Sequence, residues 1–182
     1  MRTASTNGPN GWVEPLSPSE GPGRSARGLR DVGTFYAPAT VEEMEIRIRW
    51  RDVDNYGHVN NAVYLTYLEE CRDRWVRGTV GAALEFVIVR IAIDYRRELS
   101  LEDRAVLVSC RGIGHGTSSI RTAETIRAEA GWTAAESESV VVAHDPVARK
   151  AVPLTEQQRD AVDASIAADA AALSSGGSGG RT

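Results

Sequence analysis

The chain has 182 residues, with 25 acidic against 21 basic side chains and a formal charge of -4. That length gives room for one domain with a sizeable core, and a charge balance without a basic stripe among aromatics argues against nucleic-acid binding. No apolar run is long enough to span a bilayer and residues 1 to 30 lack a secretory apolar segment, so a cytoplasmic protein without a membrane partner is expected.

Five of the seven prolines precede residue 39, among scattered Gly and Ser and without hydrophobic period. Residues 1–38 therefore read as a disordered arm. At the other end the chain closes on LSSGGSGGRT, and 169–182 is read as a flexible Gly/Ser tail, leaving 39–168 as the folded domain. Within it Met44, Ile46, Ile48 and Trp50 alternate with charged residues, the period of a strand with one buried face. A polar loop follows, and Asn60 or Asn61 is placed to cap a helix over about 62–77. Tyr64, Leu65, Leu68, Cys71, Arg72 and Trp75 recur at three- and four-residue steps along that helix, with Gly78 expected to stop it.

Four strands come next: Phe86–Arg97, Ala105–Ile113, Ser119–Ala128 and Trp132–His144. The turns between the later ones are GHGTSS and AEAGW. Pro146 and Pro153 bracket a surface excursion, and Thr155 caps a terminal helix. The sum is an α+β domain with a helix laid on a curved antiparallel sheet. Cys71 and Cys110 fall inside a helix and a strand, far from any CxxC or zinc spacing, and read as reduced core residues.

The loop RWRDVDNYGHVNNAVYLTY concentrates the groups able to do chemistry. Asp54 ends a strand four residues before His58 and seven before Asn61, beside a helix start whose N–H groups attract negative charge. The same DVDN pattern also suits an Asx turn, and Asp52 invites that structural reading as well. A neutral imidazole at His58 could orient substrate or bond the carboxylate. His115 and His144 read as turn and strand-end residues, and Glu69 and Glu70 as the wet face of the helix. Glu98 taken alone is a charge at a strand terminus. GHGTSS lacks the GK[ST] of a phosphate loop, so neither a nucleotide cofactor nor a metal is called for.

Three blocks resemble the hot-dog acyl thioesterases of the 4-hydroxybenzoyl-CoA thioesterase type: RWRDVDNYGHVNNAVYLTYLEE, IDYRRELSLEDRAVLVSC, and VVVAHDP with VPLTEQQR. The resemblance covers about residues 42–160. It implies a hot-dog fold, an antiparallel sheet wrapped around a long helix, assembled as a homodimer or homotetramer with active sites between subunits. It implies hydrolysis of a thioester of coenzyme A or acyl carrier protein, with Asp54 as nucleophile or general base and the backbone N–H of Asn61 polarising the carbonyl. Gly57, Asn60, Tyr64 and Ser118 are then expected to meet substrate. Similarity to the plant acyl carrier protein thioesterases, through HVNN and YRRE, adds His58 and Glu98 to the catalytic set. Tyr56 departs from that branch, which carries a functional asparagine there. The hairpin GHGTSS lacks basic residues for the carrier phosphates, leaving Arg96, Arg97, Arg121 or Lys150 as candidates. Two other functions fit the same fold: a protein that binds acyl thioesters without cleaving them, and a dehydratase of hydroxyacyl thioesters.

Overall fold

The computed structural model describes residues 41–82 and 85–175. The expected arm at 1–38 and the tail beyond 175 lie outside them. In chain order the elements are β1 (Glu42–Arg47), α1 (Asn61–Val80), β2 (Glu85–Tyr95), β3 (Ala105–His115), β4 (Ser119–Ala128), β5 (Thr133–Asp145), β6 (Lys150–Ala151) and α2 (Glu156–Ser175). The strands form one antiparallel sheet in the order β1-β3-β4-β5-β2, and β6 adds to the end of β5. This is the helix-on-sheet arrangement that the periodicities call for.

Alternation along the strands places Val106, Val108 and Cys110 of β3, Ile120 and Ile126 of β4, and Ala135, Val141 and Ala143 of β5 in the core. From α1, Tyr67, Leu68, Cys71 and Trp75 join the same cluster, all fully buried. Gly112 of β3 has no side chain because the Trp75 ring occupies its place: a Cβ there would stand 2.7 Å from two ring carbons. Both cysteines are free and buried. Burial pushes the Cys71 thiol up to about 12, and that of Cys110 well above the ordinary range.

Three boundaries and one added strand differ from expectation. The chain leaves β1 at Arg47, and Trp50 sits in a short 3-10 turn with 83% of its surface exposed. Asp52 is buried instead, its carboxylate accepting from the Arg49 N–H (2.8 Å), Arg49 Nε (3.0 Å) and the Tyr67 hydroxyl (2.8 Å). Burial disfavours its charge, but these donors outweigh that and hold the carboxyl below the usual range. Helix α1 runs through Gly78 and ends at Gly81, whose φ of +84° suits glycine. The β6 strand was not foreseen. Lastly, α2 continues to Ser175, past the expected domain end at 168. Its start is the predicted one: the Gln158 N–H donates to Thr155 Oγ1 and the Thr155 N–H to Gln158 Oε1.

The core also contains a charge pair. Arg72 of α1 is 5% exposed and Glu124 of β4 is 2% exposed. Arg72 Nη1 donates to Glu124 Oε1 at 3.0 Å and to Ser139 Oγ at 3.1 Å. Thr122 Oγ1 and Ser139 Oγ donate to the two carboxylate oxygens at 2.6 and 2.8 Å. Removing one partner of such a pair strands a buried charge, so Glu124→Ala is expected to lose about 3–5 kcal/mol in urea unfolding. Replacing both, as Arg72→Met with Glu124→Leu, should recover most of that loss. No helix among the described residues is long and apolar enough to cross a membrane.

Candidate active site

Between β1 and α1 the chain makes a tight reversal. Val53 bridges Val59, the Asp54 N–H donates to the His58 carbonyl (2.8 Å), and the Gly57 N–H donates to the Asp54 carbonyl (3.1 Å). Gly57, at φ +86°, turns the chain where an L side chain would be strained. Asp54 Oδ1 accepts the N–H groups of Tyr56 (2.8 Å) and His58 (3.3 Å). The Asx turn is therefore real, yet it engages one oxygen only. Oδ2 has no hydrogen bond to a described residue.

The start of α1 lies beside this carboxylate. Asn60 caps it twice, its Oδ1 accepting the Ala62 N–H (2.9 Å) and its carbonyl the Val63 N–H (2.8 Å). One donor is passed over: among the described residues, the Asn61 N–H has no acceptor. A free N–H at a helix start carries the positive end of the helix dipole.

Asp54, His58, Asn61, Tyr64 and Glu98 all line one cavity of about 380 Å³. Five of the eight expected site residues thus meet in space. Gly57 and Asn60 shape the loop and helix cap around it. Ser118 stands apart in the β3–β4 turn, where its carbonyl accepts the Ala143 N–H, and it does not line this cavity. His58 and Glu98 are exposed, and their side chains have no hydrogen bond to a described residue. Tyr64 is engaged differently: its hydroxyl accepts the Leu99 N–H at 3.0 Å, and burial keeps the phenol protonated.

The cavity wall opposite α1 comes from the end of β2. Tyr95 meets Tyr64 edge to face, with centroids 5.2 Å apart, and its hydroxyl donates to the Asn61 carbonyl at 3.3 Å. Tyr95 escaped the sequence reading. Its place on the inward register of β2, opposite Ala135, was the available signal. Of the neighbouring cations, Arg96 pairs with Asp94 and Glu136. Arg97 instead lies over the Trp132 ring, 4.2 Å from its centroid, with no carboxylate partner among the described residues. Among the described residues no three His, Cys, Asp or Glu side chains converge as a metal site.

A free carboxylate oxygen and a free helix-start N–H on one cavity suit attack on a carbonyl. The family model of the thioesterase-like superfamily matches residues 48–162, which include every residue of this cavity. The chain belongs to the thioesterase-like superfamily.

This thioesterase is 29% identical over 127 residues to the long-chain acyl-CoA thioesterase FadM of Escherichia coli (strain K12), covering 66% of the chain and 96% of FadM. A thioesterase from Thermus thermophilus, solved with coenzyme A and zinc, is 32% identical, with a TM-score of 0.62 over 72% of this chain and 97% of that one. YbaW, a probable thioesterase from Escherichia coli, is 28% identical, with a TM-score of 0.56 over 69% and 98%. The protein is a thioester hydrolase, and its curled sheet around α1 is the hot-dog fold.

Proposed function

We propose that the thioesterase hydrolyses acyl thioesters of coenzyme A, with Asp54 as nucleophile or general base and the Asn61 N–H as the carbonyl's hydrogen-bond donor. One observation carries this reading: Oδ2 of Asp54 and the N–H of Asn61, neither bonded to a described residue, belong to residues lining a single cavity. With the carbonyl oxygen on that N–H, charge developing on it is stabilised by a preorganised donor. Asp54 then attacks the carbonyl carbon, or takes a proton from a water that does. The C–S bond breaks, the thiol leaves with a proton, and water supplies the oxygen of the new carboxylate. His58 and Glu98, both on the same cavity and with no side-chain hydrogen bond to a described residue, are the groups available to shuttle that proton.

Coenzyme A is favoured over acyl carrier protein because FadM is named for acyl-CoA and the Thermus thermophilus structure contains coenzyme A. Arg97, stacked over the Trp132 ring and without a carboxylate partner among the described residues, is the cation best placed to meet carrier phosphates. The test is thiol release across short, long and aromatic acyl-CoAs with an acylated carrier protein alongside. Release from acyl-CoA is the expected result. Binding without release would point to a non-hydrolytic protein, and enoyl product from a 3-hydroxyacyl thioester to a dehydratase.

The active assembly is proposed to be a homodimer or homotetramer joined along β2. That strand is a sheet edge of 11 residues on which Val87, Ile88 and Val89 are 41, 45 and 58% exposed. Such an edge accepts another strand. Light scattering on the eluted protein should give at least twice the chain mass, and Val89→Lys should shift it towards monomer with loss of turnover.

A further inference from the structure

A second cavity, of about 90 Å³, lies further along the same seam between α1 and the inner face of β2. The first cavity uses Asn61 and Tyr64 with Tyr95; this one uses Glu69, Arg72 and Val76 with Phe86, Ile88 and Val141. Helix and strand run past each other in opposite senses, so the first cavity lies at the start of α1 beside the end of β2 and the second lies further along α1 beside the start of β2. At 1.5 Å per residue, Arg72 stands about 16 Å along the helix from Asn61, the span of a medium to long acyl chain.

The second cavity is not wholly apolar. The Arg72 guanidinium is almost wholly buried, and only its Nη1 is bonded, to Glu124 and Ser139. Nε and Nη2 have no hydrogen-bond partner among the described residues. On the same cavity Glu69 has no cation partner among the described residues, whereas Asp73 is held by Arg77 at 2.7 Å. A plain methyl end placed here would leave buried donors without acceptors, which costs free energy. A carboxylate end would meet Glu69. A hydroxyl satisfies both sides, accepting from Arg72 and donating to Glu69.

We propose that this cavity binds a hydroxyl near the far end of the acyl chain, so that the enzyme selects hydroxylated acyl thioesters over unsubstituted ones of equal length. The inference rests on the thioester reading above and adds the chemistry of the acyl group to it.

The experiment compares ω-hydroxyacyl-CoAs with their unsubstituted counterparts through medium and long chains. At the matching length kcat/KM is expected to favour the hydroxylated member about tenfold, as a hydrogen bond to a charged group would give. Glu69→Ala, at an exposed position, should reduce that ratio, and Arg72→Met with Glu124→Leu should bring it to about one. Equal rates at every length, or a ratio untouched by both variants, overturns the inference. Binding of the same pairs to Asp54→Asn separates it from the hydrolysis reading. A binding preference without thiol release by the native enzyme overturns hydrolysis alone, whereas equal binding of both members overturns the hydroxyl site.

Discussion

Asp54→Asn is expected to lower kcat by two or more orders of magnitude, as loss of a nucleophile or base does, while the protein folds as before and keeps its native mass in solution. The separation follows from how the two carboxylate oxygens are used. Oδ1 holds the turn by accepting the Tyr56 and His58 N–H groups, and the amide oxygen of asparagine can accept both in its place. The other position, unbonded here, becomes an NH₂ that can neither attack a carbonyl nor remove a proton from water. Steady-state thiol release, with circular dichroism and light scattering as controls, makes the comparison. A variant retaining near-native kcat would remove Asp54 from the chemistry.

A comparable loss is expected from Asn61→Pro, of about 10² to 10³ in kcat, the usual effect of deleting one oxyanion donor. Substituting the side chain cannot test a main-chain N–H, but proline deletes that N–H itself. The site happens to permit it. Asn61 is the first residue of α1, where proline is well accepted because the N–H has no intrahelical partner. Asn60 before it is already extended, at φ -60° and ψ 138°, the conformation that a following proline demands. Thermal unfolding should therefore change little while turnover collapses. Alanine at the same position, which keeps the N–H, is the matched control. Equal activity in the proline and alanine variants would place the carbonyl elsewhere.

Much of this was legible in the chain because the fold's periods are clean. Val106–Gly112, Ile120–Ala128 and Ala135–Ala143 each alternate between buried and more open positions, and the apolar steps from Tyr64 to Trp75 admit only a helix. That Asp54, His58 and Asn61 share one cavity was legible because they lie close in sequence. Where reading failed, a tertiary contact had replaced a local rule. Trp50 continues the strand pattern, but Arg49 and Tyr67 draw the Asp52 carboxylate inward and the tryptophan goes out. Gly78 has the composition of a helix stop, yet helix packing carries the chain on to Gly81. Glu124 sits in a strand that reads as half polar, and only the distant Arg72 explains its burial. Tyr95, at the end of β2, and Glu98, just beyond it, join the site across a separation of more than thirty residues, which local spacing cannot encode.

The exposed margin formed by β2 also bears on how the single chain behaves in solution. A newly folded copy carries eleven residues of backbone able to template growth by any passing strand, its own siblings included. Two features oppose runaway stacking: the irregularity between Ile88 and Arg90 bends the ribbon, and Arg90 places a charge at the bend. Solubility at low expression temperature and resistance to fibril formation should therefore depend on Arg90 more than on any residue of the active site.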